Sequence, residues 1–170
     1  MFGSRLATIV TVLAVAGVNS AWAQTTTTHT LPNGDVVTNT RSDQNGVYND
    51  DRTVTTPKGA TYNNDRTVDN GSYSDDRTIT KPNGASYSND RSYANGVYTD
   101  DRTAKGANGG TYTNDRTVGN GQYSDTRTVT KPNGSGYTSQ RQAGGGSSSH
   151  TWSGQGANGR SFHRSHSSAR

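Results

Sequence analysis

Six aspartates recur at fixed places in the sequence and are the residues best suited to chemistry. Each stands directly before an arginine, and threonine and asparagine oxygens surround it. Carboxylates accompanied by such oxygens suit a hard cation, so Ca²⁺ is the one candidate cofactor. The favoured interpretation is a solvated row that holds no metal, and no cofactor is expected. The candidate ligands are Asp51, Asp65, Asp76, Asp90, Asp101 and Asp115.

Eight tyrosines form a second recurring set, each four residues before an arginine. Aromatic rings at regular spacing can bind glycans by stacking. The favoured interpretation is that they supply the main apolar packing, together with nearby valines and isoleucine. The set comprises Tyr48, Tyr62, Tyr73, Tyr87, Tyr98, Tyr112, Tyr123 and Tyr137.

No catalytic residues are predicted. The chain contains no cysteine and no glutamate, and its four histidines all lie outside the repeated region. Serine and aspartate are abundant throughout, so their presence indicates no catalytic triad. We therefore expect a protein that is not an enzyme.

The arginines reveal the elements that must position these side chains. Nine of them, from Arg41 to Arg141, are separated alternately by 11 and 14 residues, which makes a 25-residue repeat. Asn-Gly pairs, which favour two-residue hairpin turns, alternate with longer segments such as Thr80-Lys-Pro-Asn-Gly84. Two loop lengths explain the two spacings and predict antiparallel hairpins.

The hairpins predict a definite register. Folding the chain back at Asn70-Gly71 places Val68 opposite Tyr73, Arg66 opposite Asp75, Asn64 opposite Arg77 and Tyr62 opposite Ile79. Because side chains alternate between the faces of a strand, the tyrosines and arginines share one face. The six aspartates then form a row on the other.

The predicted fold class is all-β: a repetitive antiparallel meander of about nine short strands, as a single layer or packed on itself. Two alternatives remain. A parallel β-solenoid with 25-residue coils would stack arginine on arginine and aspartate on aspartate. A largely disordered chain is consistent with the low apolar content of 26%.

The predicted organisation has four parts. Residues 1–23 have the features of a bacterial-type signal peptide, namely Arg5, an apolar run from Leu6 to Val18, and Ala21-Trp-Ala23 as a cleavage site. Residues 24–34 are an N-terminal extension and 35–143 the hairpin repeats. Residues 144–170 form a tail, rich in glycine, serine, histidine and arginine, that we expect to be disordered.

These features favour a secreted, periplasmic or cell-surface protein without enzymatic activity. It would act through an extended polar sheet in adhesion or assembly, for example in an extracellular matrix. The alternative is an extracellular β-repeat module that binds Ca²⁺ or glycan. Expected partners are further copies of the chain or surface polysaccharide, with polyanions contacting the basic tail. No transmembrane segment is predicted in the mature chain.

Overall fold

The protein folds as a single antiparallel meander in which every strand pairs with its neighbours in the chain. The computed structural model describes residues 8–17 and 20–169, with side chains from residue 24 to residue 169. One sheet contains thirteen strands in sequence order, with no crossover. The all-β antiparallel prediction is confirmed, and the sheet has more strands than the nine expected.

The strands are almost uniform in length. Most have nine residues. Their bounds are β1 Thr8–Gly17, β2 Ser20–Thr30, β3 Val36–Gln44, β4 Val47–Thr55, β5 Thr61–Asp69, β6 Ser72–Thr80, β7 Ser86–Ala94, β8 Val97–Lys105, β9 Thr111–Gly119, β10 Gln122–Thr130, β11 Gly136–Gly144, β12 Ser147–Gln155 and β13 Ser161–Ala169.

Asn-Gly pairs form the short turns. In the β7–β8 turn Asn95 has φ 51° and Gly96 has φ 76°. Two consecutive residues with positive φ define a type I′ turn, whose twist matches that of the flanking strands. Asparagine and glycine are the residues that tolerate this conformation at least cost, which explains their recurrence.

Five-residue loops form the other set of connections. In the loop after β6 the Lys81 amide donates to the Ala85 carbonyl at 2.9 Å, and the Gly84 amide donates to the Lys81 carbonyl at 3.0 Å. The Asn83 side chain accepts a hydrogen bond from the Ala85 amide at 3.1 Å. These bonds satisfy backbone groups that would otherwise lack partners and hold the loop in one geometry.

The observed register is the predicted one. Across β5 and β6, Arg66 faces Asp75 and Asn64 faces Arg77. The same pairing recurs 50 residues later between β9 and β10, where Arg116 faces Asp125. The parallel solenoid and the disordered chain are therefore both wrong.

The two ends of the sheet correct the predicted organisation. Residues 147–155 and 161–169 form β12 and β13, where we expected a disordered tail. Gly145-Gly146, with φ 57° and 82°, occupies the place of an Asn-Gly turn, and residues 156–160 repeat the hydrogen bonds of the five-residue loops. Turn geometry therefore overrides the Gly/Ser-rich composition. At the other end, most of the predicted extension 24–34 belongs to β2.

Processing of the N-terminus stays a prediction. Within residues 1–23 only the backbone of 8–17 and 20–23 is described, as β1 and the start of β2. Cleavage after Ala23 would remove β1 and leave Gln24–Thr30 as the first edge of the sheet. In the described ranges no helix is long and apolar enough to cross a membrane.

From residue 24 to residue 169 the sheet has no hydrophobic core. Among residues whose side chains are described, no apolar residue is fully buried, whereas Asp75, Asn89, Asp100, Asn114, Asp125 and Ser135 are. Strands contact only their sequence neighbours, so no second layer covers either face. The interior is therefore made of polar side chains that cover one another on one side of the sheet.

We predict that Asn95→Ala lowers the free energy of unfolding by about 1–2 kcal/mol, because alanine pays the full steric cost of a left-handed conformation. Asn95→Gly is the matched control and should stay close to wild type, since glycine adopts positive φ freely. Urea unfolding followed by circular dichroism measures both. Equal destabilisation by the two substitutions would contradict the turn assignment.

Candidate functional site: the two faces of the sheet

The two faces of the sheet differ in chemistry. One, which we call the tyrosine face, carries the eight repeat tyrosines and the nine arginines from Arg41 to Arg141. The other, which we call the hydroxyl face, carries threonine, serine and the six predicted aspartates. Because side chains alternate along a strand, each Asp-Asp pair divides between the faces. Asp75 lies on the tyrosine face and Asp76 on the hydroxyl face.

A row of alternating arginine and aspartate crosses the tyrosine face. We call it the arginine–aspartate row. Each member between the two ends faces an opposite charge on both neighbouring strands, whereas Arg41 faces Thr25 and Arg141 faces His150 on one side. Such cross-strand pairs stabilise a sheet by roughly 0.2–1 kcal/mol each. The row consists of Arg41, Asp50, Arg66, Asp75, Arg91, Asp100, Arg116, Asp125 and Arg141.

Asp75 shows how a charge is accommodated inside this face. Its side chain is 1% exposed and receives four hydrogen bonds. Arg77 donates from Nε at 3.0 Å and from Nη2 at 2.7 Å, Tyr73 donates its hydroxyl at 2.7 Å, and Asn64 donates at 2.5 Å. A carboxylate has about four acceptor sites, so Asp75 is saturated. A second guanidinium, that of Arg66, lies 3.9 Å away.

This environment determines the pKa of Asp75. Burial acts to raise the pKa, and the hydrogen bonds from Arg77, Tyr73 and Asn64 outweigh it and lower the pKa from 3.8 to about 2. The ionised form is thus the stable one in the folded protein. Burial and the hydrogen bond to Asp75 raise the pKa of the Tyr73 phenol, which keeps its proton and remains a donor.

The same arrangement repeats with one change near the C-terminus. Asp100 accepts hydrogen bonds from Arg102 and from buried Asn89, and its pKa is likewise lowered against the effect of burial. Asp125 instead accepts from Arg116 of the neighbouring strand, at 3.1 and 3.0 Å. The arginine that donates hydrogen bonds to the carboxylate therefore changes from the same strand to the adjacent one.

The aspartate row lies on the hydroxyl face where the sequence placed it. The six carboxylates are exposed and directly opposite one another from β4 to β9, and Thr126 and Gln140 continue the line. Partial burial and then the neighbouring carboxylates raise the pKa of Asp51, Asp76 and Asp101. Repulsion along this row opposes folding at neutral pH.

Hydroxyl side chains flank the aspartate row and bond across strands. Ser92 and Thr99 are 2.7 Å apart, Thr128 and Thr138 are 3.2 Å apart, and Thr67 donates to the Asn49 side chain at 2.8 Å. Across the described residues, no group of three or more histidine, cysteine, aspartate or glutamate side chains is arranged to hold a metal ion. A Ca²⁺ role for the row stays a prediction.

The eight tyrosines are partly buried and form two rows on this face. One row is next to the arginine–aspartate row, and the other is separated from it by a line of arginine and asparagine side chains. Val68 and Ile79 pack opposite Tyr73 and Tyr62, as the sequence predicts. Some hydroxyls also serve the polar network: Tyr48 donates to Asp50 at 3.2 Å, as Tyr73 does to Asp75. These contacts favour packing over glycan stacking, and the glycan role stays a prediction.

Sequence reasoning did not single out the buried aspartates as site residues, nor an aromatic cluster in the tail. Asp75 and Asp100 are the first aspartate of an Asp-Asp-Arg triplet, Asp125 follows at the same 25-residue spacing, and that spacing was the available signal. The cluster consists of Tyr137, Trp152 and Phe162. Trp152 packs edge-to-face with both neighbours, at centroid distances of 5.8 and 5.4 Å.

Comparison with known proteins finds no match to a family model, to a curated protein or to a solved structure.

We predict opposite effects for the same substitution at two adjacent residues. Asp75→Asn should lower the free energy of unfolding by about 2–3 kcal/mol, because hydrogen bonds to charged groups contribute roughly 1.5–3 kcal/mol. Asp76→Asn should raise it by up to about 1 kcal/mol by relieving repulsion across the strands. Urea unfolding of both variants tests this, and equal signs would refute the assignment of the two faces.

Stability should pass through a maximum in mild acid. Asp51, Asp76 and Asp101 have raised pKa values, so the folded protein binds protons more readily than the unfolded chain, and stability rises as pH falls through those values. Asp75 has the opposite effect. Its contribution is complete above about pH 4, near the unfolded pKa, and is lost as pH falls towards 2.

Urea midpoints measured from neutral pH down to about pH 2 check this profile. Asp76→Asn should flatten the rise and leave the acid loss in place. A continuous fall in stability from pH 7 to pH 4 would contradict it.

Proposed function

We propose that this is an exported, non-enzymatic structural repeat protein that assembles through the faces of its sheet, in a matrix or at a cell surface. The observation that carries the proposal is the opposite charge of two uncovered faces. Further copies of the chain are the principal partners, and anionic polymers are partners of the cationic C-terminal strands.

Charge decides which faces of two copies can meet. Arginines outnumber aspartates on the tyrosine face, whereas the hydroxyl face has a continuous row of exposed carboxylates. Two tyrosine faces would bring guanidinium groups together, and two hydroxyl faces would bring carboxylates together. Only the tyrosine face of one copy against the hydroxyl face of another pairs unlike charges.

Such a contact uses different surfaces on the two copies, so it does not close into a dimer. Each added copy leaves one free face of each kind, and growth continues as an open array. The contact would also supply the second layer that the isolated sheet lacks. Rings such as Tyr93, which is 44% exposed, would lose water on stacking.

The exposed edge strand at the C-terminal end of the sheet favours an extended assembly as well. Every described residue of β13, Ser161–Ala169, is exposed, and its outer backbone groups have no strand beside them. An unpaired edge is a template for another strand. Stacking and edge pairing differ in their dependence on charge, which separates them experimentally.

We predict that the concentrated protein forms particles larger than a monomer at low salt, and that they dissociate at about 1 M salt, where the Debye length is about 3 Å. The double variant Asp65→Asn/Asp90→Asn should weaken assembly while leaving the monomer folded and at least as stable. Sedimentation velocity and electron microscopy provide the measurements.

The control is Asp35→Asn/Asp43→Asn, which removes the same amount of charge from a loop and from the tyrosine face without touching the hydroxyl face, and it should assemble at least as readily as wild type. Strictly monomeric protein under all conditions would end the proposal of assembly. If neither salt nor the hydroxyl-face variant changes the degree of assembly, the copies associate by edge pairing and not by face stacking.

A further inference from the structure

The arginine–aspartate row changes character at its C-terminal end. Aspartate recurs every 25 residues as Asp50, Asp75, Asp100 and Asp125, and the next place in this series is His150. His150 lies directly opposite Arg141 on one side and His166 on the other. Where earlier repeats place a carboxylate between two cations, this end places a histidine between an arginine and another histidine.

Arg141 is consequently left without an acidic partner. Asp125 faces it across the strands, but the Asp125 carboxylate accepts both of its arginine hydrogen bonds from Arg116. Within the part of the chain that is described, Arg141 forms no ion pair and no side-chain hydrogen bond. Cationic groups are thus in excess at this end of the tyrosine face.

A cavity of about 270 Å³ that is open to solvent, with Arg141, Ser148 and His166 exposed, brings these groups together. Arg141, His150 and His166 line it, with Tyr123, Ser148 and Ser149. The His150 Nε2 atom lies 3.0 Å from the Ser139 hydroxyl, which orients the ring. Since a water occupies about 30 Å³ in the liquid, the cavity has room for an oxyanion and part of the molecule that carries it.

The aromatic cluster beside the cavity limits what that molecule is. Trp152 is engaged by Tyr137 and Phe162 at interplanar angles of 86° and 76°. Single-stranded nucleic acids bind by stacking bases on free ring faces, and here the edge-to-face contacts with Tyr137 and Phe162 occupy part of the Trp152 ring, which is 38% exposed. Charge recognition without base stacking fits a sulfated or phosphorylated polysaccharide better.

We propose that Arg141, His150 and His166 form an anion-binding site for sulfate or phosphate groups on an acidic polysaccharide. Arginine supplies planar donors that match an oxyanion, and each imidazole adds a ring N–H donor. The site arises because the repeat omits its carboxylate at one position. It extends the proposed function by naming the residues that contact a polymer, and it does not require copies to stack.

The decisive variant is His150→Asp, which restores the residue type of the earlier repeats and therefore preserves the fold. A sulfated polysaccharide is titrated into the protein in mildly acidic buffer, with Trp152 fluorescence as the signal. We expect His150→Asp to weaken binding about tenfold or more, the effect of losing one charge-assisted hydrogen bond. Arg141→Gln should weaken it comparably.

The matched control is His163→Asp. His163 lies in β13 like His166 but pairs with Ser153 on the hydroxyl face, so the substitution makes the same change in net charge at the wrong surface. It should leave binding within about twofold of wild type, since exposed charges on the far side are largely screened. Equal weakening by both histidine variants would overturn the site.

Further arms identify the ligand. A neutral polysaccharide should not bind, and a single-stranded oligonucleotide of matched charge should bind more weakly than the sulfated polymer. An oligonucleotide that binds as tightly and depends equally on His150 would overturn the polysaccharide assignment. Light scattering on the same samples without polymer reports assembly separately, so failure of one proposal is distinguishable from failure of the other.

Discussion

The alternation of guanidinium and carboxylate across neighbouring strands is the interaction on which this structure depends. A sheet without a hydrophobic core needs another reason to hold its strands in one register. Here Asp75, Asp100 and Asp125 are almost fully buried and are held by charged and neutral donors from their own and adjacent strands. A buried carboxylate is tolerated only when its acceptor sites are filled, and removing one partner leaves an uncompensated charge. Each strand therefore depends on its neighbours, and repetition supplies those neighbours.

The two faces of the sheet differ because side chains alternate along a strand with a period of two residues. Asp75 and Asp76 are identical and adjacent, yet their carboxylates have pKa values shifted in opposite directions. One points into a network of donors, and the other into a line of like charges. The fold thus separates stabilising from destabilising carboxylates and gives its two faces different charge. A surface of exposed, mutually repelling carboxylates lowers monomer stability and at the same time attracts a cationic surface. That combination is the physical basis of the proposed assembly.

The C-terminal end of the array keeps the repeat spacing but departs from the repeat consensus. Residues 144–170 have the composition of a flexible tail, and prediction from composition assigned them as disordered. Their turns nevertheless keep the 25-residue spacing: Gly145-Gly146 follows Asn120-Gly121, and Asn158-Gly159 follows Asn133-Gly134. Glycine adopts the positive φ of a type I′ turn at either position, so the turn geometry persists where glycine replaces the asparagine of the earlier repeats. Only with β12 and β13 in place do His150 and His166 meet Arg141.

The sequence alone determined the register and the faces. Loops of two and five residues set which residues face each other, and the alternation of side chains then assigns Asp65 and Arg66 to opposite sides. Both are local consequences of spacing, so the order of residues along the chain is enough to predict them. Burial was decided only by the tertiary structure. The near-complete burial of Asp75 arises where Asn64, Tyr73 and Arg77 converge from two strands, with Arg66 close by. Spacing does not specify how far long side chains fold over a short one, and that covering sets the charge state and stability of the interior.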